Sequence, residues 1–338
     1  MKKTQAQKIL DAEIKALGDR ISLLTFEEYV ITSQFKEAHL AFMEYMDKAK
    51  HHSDPSLRRF ILKDAIIGSS SIGSDVTKKP IIHFSLGRKD IKFHEKEHAL
   101  IENLNRQYSW LLVSAYEDYE RFLKELYACM GFLDRTFWQC DDYGSISISD
   151  IGSLKLAWFK QRVAERTNRR FQHDASCALA RFRDAFPSLL PYETVALPGA
   201  KTSVYSDAIL HQEVDTLPVG LTCSLAGKLR HAIVHDHSAI ESAQSLSKEI
   251  GANGTDKIAV IAAHLKKSPE GVRIWLVYDQ KGLLDYNFLD LRISQMLQSL
   301  CAHACLLYKA CISHFGEQAY WERKGSKGIS GRAKRKAE

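Results

Sequence analysis

The seven cysteines of this 338-residue chain include no C-x-x-C pair, and their number is odd. A disulfide framework is therefore not expected. The pattern reads instead as reduced, buried thiols of a cytoplasmic protein. Long apolar runs are missing too: the longest, near Trp110–Val113 and Cys305–Tyr308, fall far short of the roughly 20 residues that span a bilayer. The N-terminus, MKKTQAQKILDAEIKALGD, has early lysines but neither a continuous apolar stretch nor a cleavage-like site, so it does not read as a signal peptide. No internal repeat, glycine-rich phosphate loop or dinucleotide fingerprint occurs, which argues against P-loop and Rossmann chemistry.

With 45% hydrophobic residues, the chain can bury a large core in one or two domains. Its net charge of +6 is unevenly placed. Seven basic residues and one acid lie between Arg323 and Glu338, so residues 1–322 are balanced. The Gly, Ser and Lys content of 317–338 predicts a disordered basic tail. Such a tail either touches phosphates without reading sequence or only solubilises the chain.

Periodicity organises the rest. Residues 3–50 read as two helices, with Ile9, Leu10, Ile14, Leu17, Ile21 and Leu24 at helical spacing. A short helical stretch is expected at 56–67, a break at 68–74 and a short strand at Ile81–Leu86. The character changes near residue 90, which separates an N-terminal helical region (1–90) from the main domain (95–316). The best helix spans about 95–130, with Leu100, Leu104, Tyr108, Leu111, Ala115, Tyr119, Phe122 and Leu126 on one stripe. A second spans 150–186 and ends at Pro187, before a loop to about Pro218. A third begins near Thr222 or Ser224, either a candidate cap, and carries Leu225, Leu229 and Ile233 inward. Val272–Tyr278 reads as a strand, and a closing helix runs over 287–315. The fold class expected is mainly α: four core helices, a small β insertion and an N-terminal helical extension.

The third helix carries Arg230-His231-Ala232-Ile233-Val234-His235, followed by Asp236-His237. Arginine stays protonated and offers phosphate a planar fork of donors. Histidine is the side chain suited to proton transfer near neutrality. Together they supply what metal-free RNA cleavage needs. His231 and His235 share a helix face, whereas Arg230 and His235 lie about 140° apart around the axis. Their convergence requires an irregular helix or a two-fold interface that brings two copies of the motif together; the dimer is the favoured solution. One imidazole, His235 foremost, would exchange protons with the 2′-hydroxyl or the leaving 5′-oxygen. Arg230 would stabilise the phosphorane-like charge. His231 would orient the phosphate or carry the second proton.

A metal reading competes. His231, His235, Asp236 and His237 crowd together, and an H-x-x-x-H pair can bind zinc. Ala232 stands where H-E-x-x-H needs its glutamate, however, and no third ligand at familiar spacing follows. No metal or other cofactor is expected. Cys301, Cys305 and Cys311, on one helical stretch with His303, read as core packing rather than as ligands.

The arginine–histidine string, late in an all-helical core, resembles the R-x₄₋₆-H signature of the HEPN superfamily, in which a polar residue often follows the arginine. The segment Val113-Ser114-Ala115-Tyr116-Glu117-Asp118-Tyr119-Glu120-Arg121-Phe122-Leu123 looks like the first long helix of its larger ribonuclease branch. The resemblance covers about residues 95–316. It implies a HEPN-like helical bundle that dimerises through the motif helices, and often a metal-independent endoribonuclease. Many members are toxins or serve prokaryotic defence against phage, some under a regulatory or antitoxin partner; others have lost activity and only bind RNA, nucleotide or protein. Arg230 and His235 match the two signature positions. His237 satisfies the looser spacing and is an auxiliary candidate.

A docking surface for RNA is sought in the second helix. Lys155, Lys160, Arg162, Arg166, Arg169, Arg170 and His173 cluster there with Trp158, Phe159 and Phe171. Such a stripe binds phosphates and stacks bases, or is a solvated face over a buried aromatic one. Arg166, Arg169 and Arg170 are the RNA-contact candidates. Glu117 and Glu120 are candidates to orient Arg230 or a motif histidine.

Overall fold

The computed structural model describes residues 4–51, 53, 71–74, 80–83, 93–165, 176–199, 201–204, 212–236, 238–268, 271–277 and 292–334. Four long helices build the frame: α1 (Gln5–Lys50), α2 (Phe93–Leu133), α8 (Val219–His235) and α11 (Arg292–Lys334). The segment expected as two helices is the single helix α1, which no proline interrupts. It opens with a reciprocal cap: the Gln7 amide donates to Thr4 Oγ1 and the Thr4 amide to Gln7 Oε1, each at 3.2 Å.

The stripe read along α2 is its core face: Leu104, Tyr108, Leu111, Ala115, Tyr119, Phe122 and Leu126 are buried, and Leu100 is half-buried against them. Leu10, Leu17, Ile21 and Leu24 of α1 join the same core, against α2 and α11. Thus α1 is built into the main helical body despite the change of character near residue 90. Ile293, Leu297, Leu300, Ala304, Leu307 and Cys311 of α11 complete the core. The backbone of α11 remains helical to Lys334, into the segment expected to be a disordered tail, because no proline stops it.

The single helix expected over 150–186 is divided. α3 (Cys140–Tyr143), α4 (Ile148–Ile151) and α5 (Leu156–Ala164) precede α6 (Ser176–Ala185) and α7 (Leu189–Glu193). α4 ends at Gly152, where Ser153 donates backbone and hydroxyl hydrogens to Asp150 O. α5 ends where Glu165 turns extended, at φ −63° and ψ 126°.

β1 (Ser71–Ser74), inside the expected break, pairs antiparallel with β2 (Pro80–His83). The expected loop before the motif helix contains the hairpin of β3 (Lys201–Val204) and β4 (Gln212–Asp215), with Lys201 opposite Asp215. After α8, β5 (Ala239–Ile240) starts an antiparallel sheet ordered β5-β7-β6, formed with β6 (Leu265–Ser268) and β7 (Gly271–Ile274). α9 (Ala243–Ile250) and α10 (Thr255–Ala262) lie between β5 and β6. The strand expected to reach Tyr278 leaves the ladder after Ile274. There Asn105 of α2 replaces a neighbouring strand, donating to Ile274 O at 3.1 Å and accepting from the Leu276 amide at 2.7 Å. Among the described residues, no helix is long and apolar enough to cross a membrane.

Candidate active-site cleft

α8 starts three residues before Thr222, so neither predicted cap caps it. The Thr222 hydroxyl donates to the carbonyls of Leu217 and Pro218, and Ser224 donates to Gly220 O. Pro218 takes the N-cap position, and the first free amide, Val219, donates to Val195 O at 2.9 Å. At the other end, Asp236 and Ser238 both donate their amides to Ala232 O. Ser238 turns left-handed, φ 65°, and leads the chain into β5. Between these anchors α8 is continuous through Arg230 and His235, so no helix irregularity brings those two together.

A cleft of about 510 Å³ opens beside α8, walled by α2, α6 and α9; its lining includes Tyr116, Tyr119, Glu120, Arg183, Arg230 and His231. Gly227 makes part of this space: a Cβ there would lie 2.5 Å from the Tyr116 hydroxyl. The Arg230 side chain is 20% exposed and donates from Nη2 to Glu117 Oε1 at 3.1 Å. Its Nε is buried and has no hydrogen-bond partner among the described residues. Glu117, rather than the buried Glu120, is thus the carboxylate that orients the arginine.

His231 faces the cleft, and its ring centroid lies 4.8 Å from that of His235. Both histidines are exposed. His235, the last residue of α8, is outside the cleft lining. Arg230 and His231 therefore meet in one cavity, and His235 reaches it only through its contact with His231. His237 lies outside the described residues.

The opposite wall holds a buried chain of polar groups from four helices. Tyr119 bonds His303 Nδ1, His303 Nε2 lies 2.6 Å from Glu193 Oε1, and Arg183 Nε donates to Glu193 Oε2 at 2.9 Å. An ionised Glu193 accepts from both sides, which assigns the His303 proton to Nε2 and leaves Nδ1 to accept from the tyrosine. Burial opposes charge on Glu193, but the bonds from His303 and Arg183 outweigh it and hold its carboxyl below the usual carboxylate range. Burial pushes the Tyr119 hydroxyl well above its ordinary value.

His303, weighed earlier beside cysteines as a ligand, is fully committed to this chain. Cys301 is half-buried, Cys305 exposed and Cys311 buried, and none is in a disulfide. Among the described residues no cluster of three His, Cys, Asp or Glu side chains can hold a metal ion.

The expected RNA stripe resolves differently. Lys160 lies between Glu13 and Glu125, at 2.6 and 2.7 Å. Burial works against its ammonium, but these two carboxylates outweigh it and raise its pKa. Arg162 pairs with Glu165 at 2.8 Å and donates to Asp142 O. Phe159 is buried, and Trp158 packs on Trp138 and Tyr143. These side chains join elements of the fold, while Lys155 remains exposed. Arg166, Arg169, Arg170, Phe171 and His173 lie outside the described residues.

Set beside known proteins, the chain matches no family model, no curated protein and no solved structure. Its site has to be judged on its own chemistry. Sequence reasoning missed Arg183 and Glu193, which carry no local motif, and read Tyr119 only as a member of the core stripe.

Proposed function

We propose that this chain is a metal-independent endoribonuclease of the HEPN type, acting in the cytoplasm as a toxin or anti-phage effector. The observation that carries the reading is the Arg230 guanidinium, half-enclosed in a cleft beside His231, with a buried Nε–H that lacks a partner among the described residues. An incoming phosphodiester competes with Glu117 for Nη2.

The chemistry follows from the residue types. One imidazole removes the proton of a 2′-hydroxyl, and the 2′-oxygen attacks the adjacent phosphorus. The P–O5′ bond breaks, and a second imidazole, protonated, donates its hydrogen to the leaving 5′-oxygen. Products are a 2′,3′-cyclic phosphate and a 5′-hydroxyl. Arg230 stabilises the extra negative charge between these states. His235 and His231 are the proton carriers, and no step calls for a metal or cofactor.

Within one subunit Arg230 and His235 do not face a common space, so the reading includes a homodimer through the motif helices. Exposed His231, Val234 and His235 form one face at the end of α8, at i, i+3 and i+4, and support such a pairing. The same separation favours a second reading, a catalytically silent module that binds RNA, nucleotide or a protein partner.

Incubation of the purified protein with total RNA separates the two. Cleavage should persist in EDTA, leave cyclic phosphate ends, and fall at least about 100-fold in Arg230→Ala and His235→Ala. Binding without cutting would favour the silent module, and cleavage abolished by EDTA would sink both.

A further inference from the structure

We infer that Arg183 is a second anion-binding residue of the cleft, holding an RNA backbone phosphate other than the one engaged by Arg230. The identity of the ligand rests on the ribonuclease reading; the binding geometry does not. Arg183 comes from α6 and Arg230 from α8, and both line the same cavity. Arg183 spends only its Nε on Glu193, at 2.9 and 3.2 Å from the two carboxylate oxygens. Its two terminal nitrogens have no partner among the described residues, and its side chain is 35% exposed. Such a guanidinium keeps a pair of parallel donors available for two phosphate oxygens.

The carboxylate behind it cannot swing round to cover that edge. Glu193 is 7% exposed and is pinned from the other side by His303, itself fully buried and tied to Tyr119. The chain of buried partners therefore orients the arginine as well as neutralising it.

Other charges around the cleft are committed. Lys228 pairs with Glu249 at 2.8 Å, and Glu120 already has a partner of its own. Donors left over on two walls of a cleft that Tyr116 and Leu179 also line suit a chain of phosphates, with the face of a base set against those side chains. A single small anion would use one wall only.

Binding is measured by fluorescence anisotropy with a short 2′-O-methyl RNA oligonucleotide, which no 2′-hydroxyl attack can cleave, between about 50 and 200 mM salt. Arg183→Gln should weaken binding about tenfold and flatten the slope of log K against log salt by about 0.7, the share of one single-strand phosphate. Because this variant touches buried Glu193, Leu179→Glu provides a second approach. Its carboxylate, one turn before Arg183 on the same face, should cause a similar loss, while Leu179→Gln should bind as the wild type does.

Unchanged affinity and slope in Arg183→Gln and Leu179→Glu would overturn the inference. So would an equal loss in Leu179→Gln, or a wild type that does not bind the oligonucleotide. Arg183-dependent binding without cleavage of natural RNA would leave this inference standing and remove the ribonuclease reading; cleavage indifferent to Arg183→Gln would do the reverse.

Discussion

At the scale of single residues, the buried histidines show how surroundings decide what a side chain can do. His264, immediately before β6, is enclosed, and burial pushes its pKa down to about 3. The nearby Arg292 charge adds to this, and the bond from Nδ1 to Val260 O opposes it. The fold therefore holds this ring neutral while the unfolded chain titrates near 6.5. Above that value neither state binds the proton, and the full stability is present. As pH falls, the unfolded state takes up a proton that the fold refuses. Stability should drop by about 2 kcal/mol between about pH 6.5 and 5 on this account alone. Urea titrations of the wild type and His264→Gln check it, the variant being flatter over that range; parallel curves would remove the assignment. His303 has the same side chain but two committed partners, and its place is structural and orienting. By contrast His231 and His235 are exposed, within reach of the substrate that the proposed reaction needs. The arginine–histidine string was legible in the sequence because it is contiguous. The Arg183–Glu193–His303–Tyr119 chain was not, because its members sit on four helices, with His303 110 positions from Glu193 and 184 from Tyr119, and meet only through packing.

Among elements, the long helices followed their periodicity and the short ones did not. A stripe sustained from Leu100 to Leu126, about seven turns of α2, leaves one way to bury itself. The pieces between residues 140 and 193 are too short for a period to be read, and backbone bonds close the C-terminal ends of α3, α4, α5 and α7. The hairpin at 201–215 has four-residue strands, below the length at which alternation is informative. Close helix approaches were equally hidden. Gly131 lies beneath the Trp138 indole, whose Nε1 donates to Tyr127 O, and a Cβ at 131 would come within 2.2 Å of that ring. Trp138 is 4% exposed and stacks on Tyr127, with Phe159 edge-on, so it has nowhere to go. Gly131→Ala should thus destabilise by about 1–3 kcal/mol through overpacking, although alanine favours a helix interior by about 1 kcal/mol. Chemical denaturation gives the sign directly, and a stabilised variant would mean that the indole moves aside.

For the molecule as a whole, one hydrophobic core joins α1, α2, α8 and α11, and Lys160 binds the outer helices together through Glu13 and Glu125. The cleft exists because α8 is held at both ends while α6 and α9 stand beside it, so its shape belongs to the assembly of helices rather than to the motif. The proposed pairing of two α8 ends makes a prediction at this scale. Val234, 40% exposed between the two histidines, should be covered in the dimer. Val234→Glu should convert a dimer to a monomer in light scattering and abolish RNA cleavage while leaving the melting of the subunit nearly unchanged. A wild type that is monomeric at all concentrations would count against the pairing. The chain by itself determined its mainly helical class, the core faces of its long helices and the one place where a guanidinium and imidazoles crowd together, since these depend on residues a few positions apart. Only the tertiary structure decided which carboxylate holds Arg230, that His235 lies outside the cleft, and that Arg183 faces it from a buried support. Glu117 and Arg230 are 113 positions apart, and Glu193 and His303 are 110 apart; the free energy that fixes such relations comes from burial and satisfied hydrogen bonds that no local pattern encodes.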